Sequence, residues 1–270
     1  MNRRALPLYL LAIAIVASGC DSHREKRKHS HEHTVTITRT WPAADIRNLK
    51  VFEVDGSIKV EASQTSEISL VAEAKGDLEL EKGKENDGLF ETKLEGDTLR
   101  IGRKEKEKGG KIRIRFFFDM NDVRVNYVLK VPPSVSLDVA TINGRITTRG
   151  MAGETAATTV NGGLDLESTG AKEMSATTVN GRVKARFTES FQGARFKTVN
   201  GGVEATLPQN ASFSVDLAQV NGDFEASFPL SIHSAPGSRR VSGEVNGGEH
   251  ELKITTVNGD VQLARLNDGR

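Results

Sequence analysis

Thr159-Val160-Asn161-Gly162, Thr178-Val179-Asn180-Gly181 and Thr198-Val199-Asn200-Gly201 are one phrase written three times at nearly constant spacing. It returns in full or in variant as Thr141-Ile142-Asn143-Gly144, Gln219-Val220-Asn221-Gly222, Glu244-Val245-Asn246-Gly247 and Thr256-Val257-Asn258-Gly259. From Asn143 onward the steps between asparagines are 18, 19, 20, 21, 25 and 12 residues. A period near 20 is the signature of stacked repeats rather than of a closed globular topology. Four places before six of these asparagines stand Val139, Ala157, Ala176, Phe196, Leu217 and Ile254; three places after come Ile146, Leu164, Val183, Val203, Phe224 and Val261. The next column, five after, is Thr148, Leu166, Ala185, Ala205, Ala226 and Leu263. Apolar columns separated by polar ones are the period of half-buried strands, so each unit reads as strand, sharp corner, strand, looser corner.

Asn-Gly at the corner has two readings. It is the strongest short signal for a two-residue hairpin, which would give an antiparallel meander. It is also what a ladder of amides bonded from coil to coil requires, which gives a parallel β-solenoid of ~20-residue coils. Identical residue classes in each column, above all Thr141, Thr159, Thr178, Thr198 and Thr256, favour the all-β solenoid. Asn143, Asn161, Asn180, Asn200, Asn221 and Asn258 are then the expected turn and ladder residues. Gly after Asn is read as supplying a positive φ. The direction of the Val or Ile before each Asn is left open.

The N-terminal half carries the same pattern less regularly. Val54-Asp55-Gly56 between Leu49, Val51, Glu53 and Ile58, Val60, Ala62 aligns with the later repeats, with Asp55 in the Asn column. Thr34 to Trp41 alternates as a strand with Arg39 as its one charged break, and Lys104 to Lys111 reads as an exposed hairpin tip. Phe116-Phe117-Phe118 is read as a strand covering one end of the stack, and Asp119 and Asp122 bring too few oxygens for a calcium loop. Residues 34–266 are expected to form one domain, irregular over 34–130 and regular over 131–266.

Before the domain comes an address. A basic start, an apolar run from Ala5 to Val16 and Ala17-Ser18-Gly19-Cys20 form a secretory signal too short to span a bilayer. Residues 1–19 are the expected signal peptide. Cys20 is the only cysteine, which excludes a disulfide or a thiolate metal site within one chain. With Cys20 after small residues, the segment resembles the bacterial lipobox, in which Cys becomes the lipidated, palmitate-bearing first residue; here Ala17 stands where Leu is usual. The resemblance implies anchorage in membrane lipid through Cys20, in the bacterial cell envelope and on the periplasmic face, with the choice of leaflet open. Residues 20–33 then form a charged tether. His29, His31 and His33 alternate within it, but a flexible tail offers no surrounding groups to orient ligands, so no metal and no cofactor is expected.

The composition excludes further classes. Lys and Arg total 37 against 36 Asp and Glu, and loss of residues 1–19, which hold two Arg and no acid, turns the net charge from +1 to -1. No basic excess points to nucleic acid. Asp165, Glu204 and Glu225 form an acidic stripe interrupted by Lys184, and Arg149, Glu167 and Arg186 are placed to pair between coils. Such carboxylates would serve a sugar-cleaving β-helix, but His233 and His250 are the only histidines past the tether, and no catalytic set is legible.

The repeats following Val131-Pro132-Pro133-Ser134-Val135-Ser136-Leu137-Asp138-Val139 resemble the bacterial family provisionally labelled adhesin, similar to head domains named for a Gly-Ile-Asn motif and grouped with β-helices. The resemblance spans roughly Leu49 to Leu263. It implies a non-catalytic β-solenoid scaffold or adhesin-like binding module whose partner is an envelope protein or polysaccharide; the alternative is a polysaccharide-active enzyme on a β-helix.

Overall fold

The computed structural model describes residues 12–14, 32–77, 89–103, 123–170, 172–230 and 240–266. Every regular element among them is a strand, and the strands form one 11-stranded and one 10-stranded sheet, both mostly parallel. The solenoid reading therefore holds and the meander does not. Each coil contributes one strand to each sheet; an Asn-Gly corner joins the two in six coils, and Asp55-Gly56 takes that place in one more. Matching columns meet residue for residue: Ala157 pairs with Val139 on one side and Ala176 on the other, and Leu164 pairs with Ile146 and Val183. The register is dictated by burial, because a slip of one residue would turn every inward side chain outward. Leu49, Val139, Leu166, Val183, Ala205, Ile254 and Leu263 lie fully inside between the sheets.

Coils do not stack in chain order. Numbered along the axis, coil 1 is Thr98–Gly102 with Arg124–Val131, coil 2 is Asn48–Asp55 with Ile58–Ala62, and coil 3 is Ser136–Asn143 with Ile146–Met151. Coils 4, 5 and 6 follow as Thr155–Asn161 with Leu164–Ser168, Met174–Asn180 with Val183–Phe187, and Ala194–Lys197 with Val203–Leu207. Coil 7 is the last in sequence, His250–Asn258 with Val261–Arg265, and coil 8 is Phe213–Asn221 with Phe224–Ala226. The chain thus lays down coil 2 before coil 1 and coil 8 before coil 7. At each end it goes out to the rim and returns to fill the inner place.

The rims are finished by antiparallel strands. Glu67–Asp77 pairs with the second strand of coil 1 and Glu32–Pro42 pairs with that; Ala12–Ala14, which lies within the expected signal peptide, pairs antiparallel with Glu32–Pro42. Glu91–Glu95 covers the other sheet of coil 1, and Arg240–Val245 covers coil 8. Reversed strands with polar or charged faces blunt an edge that would otherwise recruit further strands. Near coil 8 the interior is aromatic: Phe191 meets Phe187 and Phe213 edge-on at 5.0 and 5.8 Å, and Phe213 meets Phe228 at 5.2 Å. The expected hairpin tip at 104–111, the Phe116–118 strand, Asp119, Asp122 and His233 lie outside the described residues.

Candidate binding face along the asparagine corner

Each residue of the four-residue phrase has a separate task. The Thr turns inward and donates its hydroxyl to the Gly carbonyl of the neighbouring coil: Thr159 to Gly144, Thr178 to Gly162, Thr198 to Gly181 and Thr256 to Gly201, all at 3.1–3.2 Å. Gln219 does the same with its amide toward Gly259 at 2.9 Å, which explains its presence in a Thr column. The Val turns outward, the direction the sequence left open: Val160, Val179, Val220 and Val257 are 37–41% exposed.

The glycines correct the sequence reading at four of the corners. Gly144, Gly162, Gly181 and Gly201 do not have positive φ. A Cβ on any of them would lie 1.8–1.9 Å from the carbonyl oxygen of the Gly on the adjoining coil. At these four corners Gly is therefore demanded by backbone packed on backbone across coils and not by a positive φ, whereas Gly222 (φ 130°) and Gly259 (φ 156°) have the positive φ the sequence predicted and also press on the Gly carbonyl of the adjoining coil. Val245-Asn246-Gly247 is the opposite case. Asn246 has φ 50°, its amide donates to the Ala211 carbonyl at 2.9 Å, and Val245 is buried. It closes a turn after the reversed strand Arg240–Val245 and takes no place in the column of corners.

The asparagine amides form one file. Asn143 donates to Asp55, Asn161 to Asn143, Asn180 to Asn161, Asn200 to Asn180, Asn258 to Asn200 and Asn221 to Asn258, every step 2.8–2.9 Å. Asp55 sets the direction. A carboxylate only accepts, so Asn143 must turn its NH₂ toward it, and each amide in turn presents its oxygen to the next.

The Thr file also ends on an acid, and sequence reasoning assigned that residue no role. Glu53 occupies the Thr column in coil 2, opposite Thr141. Coil 1 has no Asn-Gly corner to offer a carbonyl. Instead the fully buried Glu53 carboxylate accepts from Arg103 Nε at 2.7 Å, from the Val54 N–H at 2.9 Å and from the Tyr127 hydroxyl at 2.9 Å. Arg103 also reaches the Val123 carbonyl, tying together the two ends of 104–122. Burial pushes the Glu53 carboxyl above its ordinary range, with Arg103 and the hydrogen bonds opposing. Tyr127 is pushed up by burial and by Glu53. A charged residue in a buried Thr column was the available signal.

The profile of the Toastrack DUF4097 family matches residues 27–264. The chain belongs to the Toastrack DUF4097 family. Similar solved structures include one from Clostridium sporogenes, by provisional name a cell adhesion protein, at 9% identity and TM-score 0.49, covering 86% of this chain and 99% of that one. Another is from Bacteroides fragilis, provisionally an adhesin, at 12% identity and TM-score 0.32, covering 84% and 96%. A third, provisionally a lipid-binding protein from Parabacteroides distasonis, has 12% identity and TM-score 0.33 over 84% and 96%. No curated protein matches the sequence.

On the outer face of this Toastrack chain two of the three carboxylates of the acidic stripe are paired with cations. Asp165 takes two hydrogen bonds from Arg149 at 3.0 and 2.8 Å, and Glu204 meets Lys184 at 3.1 Å. The Arg149 hydrogen bonds hold the Asp165 carboxyl below the usual range. Arg149 was expected to pair along its own column; a bulge between Thr148 and Met151 swings it to Asp165 instead, and Glu167 and Arg186 form no ion pair although they are opposite in register. Glu225 is exposed on the short strand of coil 8. Beside the Asn file, two places past each asparagine, the Toastrack coils 2 to 8 carry Ser57, Arg145, Gly163, Arg182, Gly202, Asp260 and Asp223. Arg145 and Arg182 rise on either side of Gly163 around a cleft of about 520 Å³. His33 is exposed on the Glu32–Pro42 strand; Cys20, His29 and His31 lie outside the described residues. Among the described residues no group of three or more His, Cys, Asp or Glu is placed to hold a metal ion.

Proposed function

We propose that this protein is a lipid-anchored component of the bacterial cell envelope, on the periplasmic face, whose solenoid presents the asparagine corner as a non-catalytic, adhesin-like binding surface. The observation that carries this reading is the outward file of valines beside the amide file. Those side chains stay 37–41% exposed in coils 4, 5, 7 and 8, with Ile142 and Val199 half-buried in the same column, and exposed apolar surface rimmed by polar groups characterises binding sites. Strands stacked about 4.8 Å apart repeat that surface at a regular spacing, and a preformed surface lowers the ordering cost of engaging an extended partner.

The enzyme alternative finds less support. Cleavage of a glycosidic bond needs one carboxyl held protonated and another held ionised, facing a common space. Asp165 is locked to Arg149, Glu204 is paired with Lys184, and Glu53, the carboxyl that burial does push up, is sealed inside. The test is site-specific photocrosslinking in the native envelope, with the probe at Val179 or, as control, at Glu173. A discrete partner captured from Val179 and not from Glu173 supports the reading. Identical diffuse patterns from both positions overturn it.

A further inference from the structure

Two glycines stand side by side at the corner of coil 4, and only one of them is required by the fold. Gly162 cannot carry a Cβ without striking the Gly144 carbonyl. Gly163 can: its φ is ordinary, and a Cβ there would meet Arg145 Nη1 at 3.5 Å and the Arg182 carbonyl at 3.6 Å, both normal contact distances. The missing side chain does nothing for the backbone. What it does is leave open the floor of the cleft between Arg145 and Arg182.

Those two arginines are two coils apart, roughly 10 Å along the axis at about 4.8 Å per coil. Both are exposed, and neither guanidinium makes a hydrogen bond or ion pair among the described residues, Arg145 acting on Asp165 only through space. The acids that share the cleft, Asp165 and Glu204, are already taken by Arg149 and Lys184. The cleft therefore holds two uncommitted guanidinium groups, the side chain suited to planar, two-point capture of a carboxylate. The Asn180 amide lines the same cleft. Within the file it uses one N–H toward Asn161 and one oxygen lone pair toward Asn200, so a second N–H and a second lone pair remain for a ligand. A group that both donates and accepts, as a sugar hydroxyl does, satisfies both.

We infer that the notch formed by Arg145, Gly163 and Arg182, with Asn180 beside it, is a subsite for an acidic polysaccharide, in which the guanidinium groups take uronate carboxylates and the amide takes ring hydroxyls. This deepens the binding-surface reading and rests on it. The experiment measures binding of the folded chain to polygalacturonate by calorimetry, with neutral dextran and phosphatidylglycerol vesicles as comparisons. Three variants are used: R145Q/R182Q removes the charge, G163L fills the floor, and R124Q removes a cation elsewhere on the same sheet.

Binding of polygalacturonate but not dextran, weakened about tenfold or more in R145Q/R182Q and in G163L but not in R124Q, is the expected result, with thermal melting unchanged in all three. Unweakened binding in R145Q/R182Q overturns the assignment, as does failure of the parent protein to bind the uronate polymer. Vesicle binding lost in the same variants would transfer the notch to lipid headgroups and equally overturn it. A discrete crosslink from Val179 alongside any of those failures leaves the corner as a binding surface, so the two readings fail separately.

Discussion

At Glu53 the fold holds a carboxylate where every other full corner holds Thr or Gln, and its neighbours determine how the substitution behaves. Glu53→Leu strands Arg103 and Tyr127 beside an apolar group, and loss of one partner from a buried ion pair costs about 3–5 kcal/mol. Glu53→Gln keeps an acceptor for Arg103 and is expected to cost clearly less, because burial already disfavours the ionised acid. Since the folded chain holds that proton more tightly than the unfolded chain, the Glu53 contribution is fully present at low pH and is lost as pH rises from the ordinary Glu value of 4.5 through the raised one. Asp165 works in the opposite sense, its contribution lost as pH falls through the value that Arg149 has lowered. Denaturant titrations from pH 4 to 8 should therefore show the stability of wild type falling relative to E53Q as pH rises; a constant difference would refute the account. Thr148 is a simpler case. Its hydroxyl is fully buried in the apolar column with no hydrogen-bond partner, in register with Val60 and Leu166. Thr148→Val should raise stability by about 1 kcal/mol, read as an increase in melting temperature.

Whole coils respond to change according to where they lie along the axis, which is not where they lie in the sequence. Coil 7 ends the repeat array in sequence but is clamped between coils 6 and 8, with Ile254 in register with Phe196 and Leu217, and Val261 with Val203 and Phe224. In a stack laid down in chain order, removing the last coil would expose one interface and shorten the rod. Here it exposes two. Loss of buried Leu252, Ile254, Val261 and Leu263 alone forfeits roughly 6–12 kcal/mol at about 1.5–3 kcal/mol each, comparable to the whole stability of a domain. A chain ending at residue 249 should lose cooperative melting and become insoluble, and a soluble product melting within a few degrees of the parent would contradict the threading. Periodicity made the coils and their register legible, since a column such as Val139, Ala157, Ala176 must be stacked to be buried. The threading was not legible: the irregular steps of 25 and 12 residues around Asn246 mark the outward and return passage only once the reversed strand is seen. Nor did composition show that Gly162 answers to packing while Gly163 does not, because both read as the same residue.

Across the molecule, the corner file, the notch and the reversed rims describe a stack of coils with one patterned edge, and how such an edge meets its partner depends on what holds the stack. Cys20 precedes Glu32–Pro42, the strand at the rim beyond coil 1, so the proposed anchor would place coil 1 nearer the membrane and coil 8 farther away. A single acyl chain, at ~0.8 kcal/mol per buried CH₂, gives only reversible attachment, whereas two or more hold firmly. If Cys20 is multiply acylated, the protein should remain with membranes after high-salt washing and leave them in detergent, since screening weakens charge contacts of Arg24, Lys26, Arg27 and Lys28 with lipid but not burial of hydrocarbon. Cys20→Ala should shift the protein to the soluble envelope fraction while the melting temperature of the solenoid stays the same, because residue 20 precedes the repeats whose columns build the two sheets. Mass spectrometry of the mature N-terminus supplies the independent readout: acylated Cys20 is the expected species. An unmodified Cys20, or a Cys20→Ala protein that still pellets with membranes after the salt wash, would remove the anchor and leave a solenoid that meets its partner in solution.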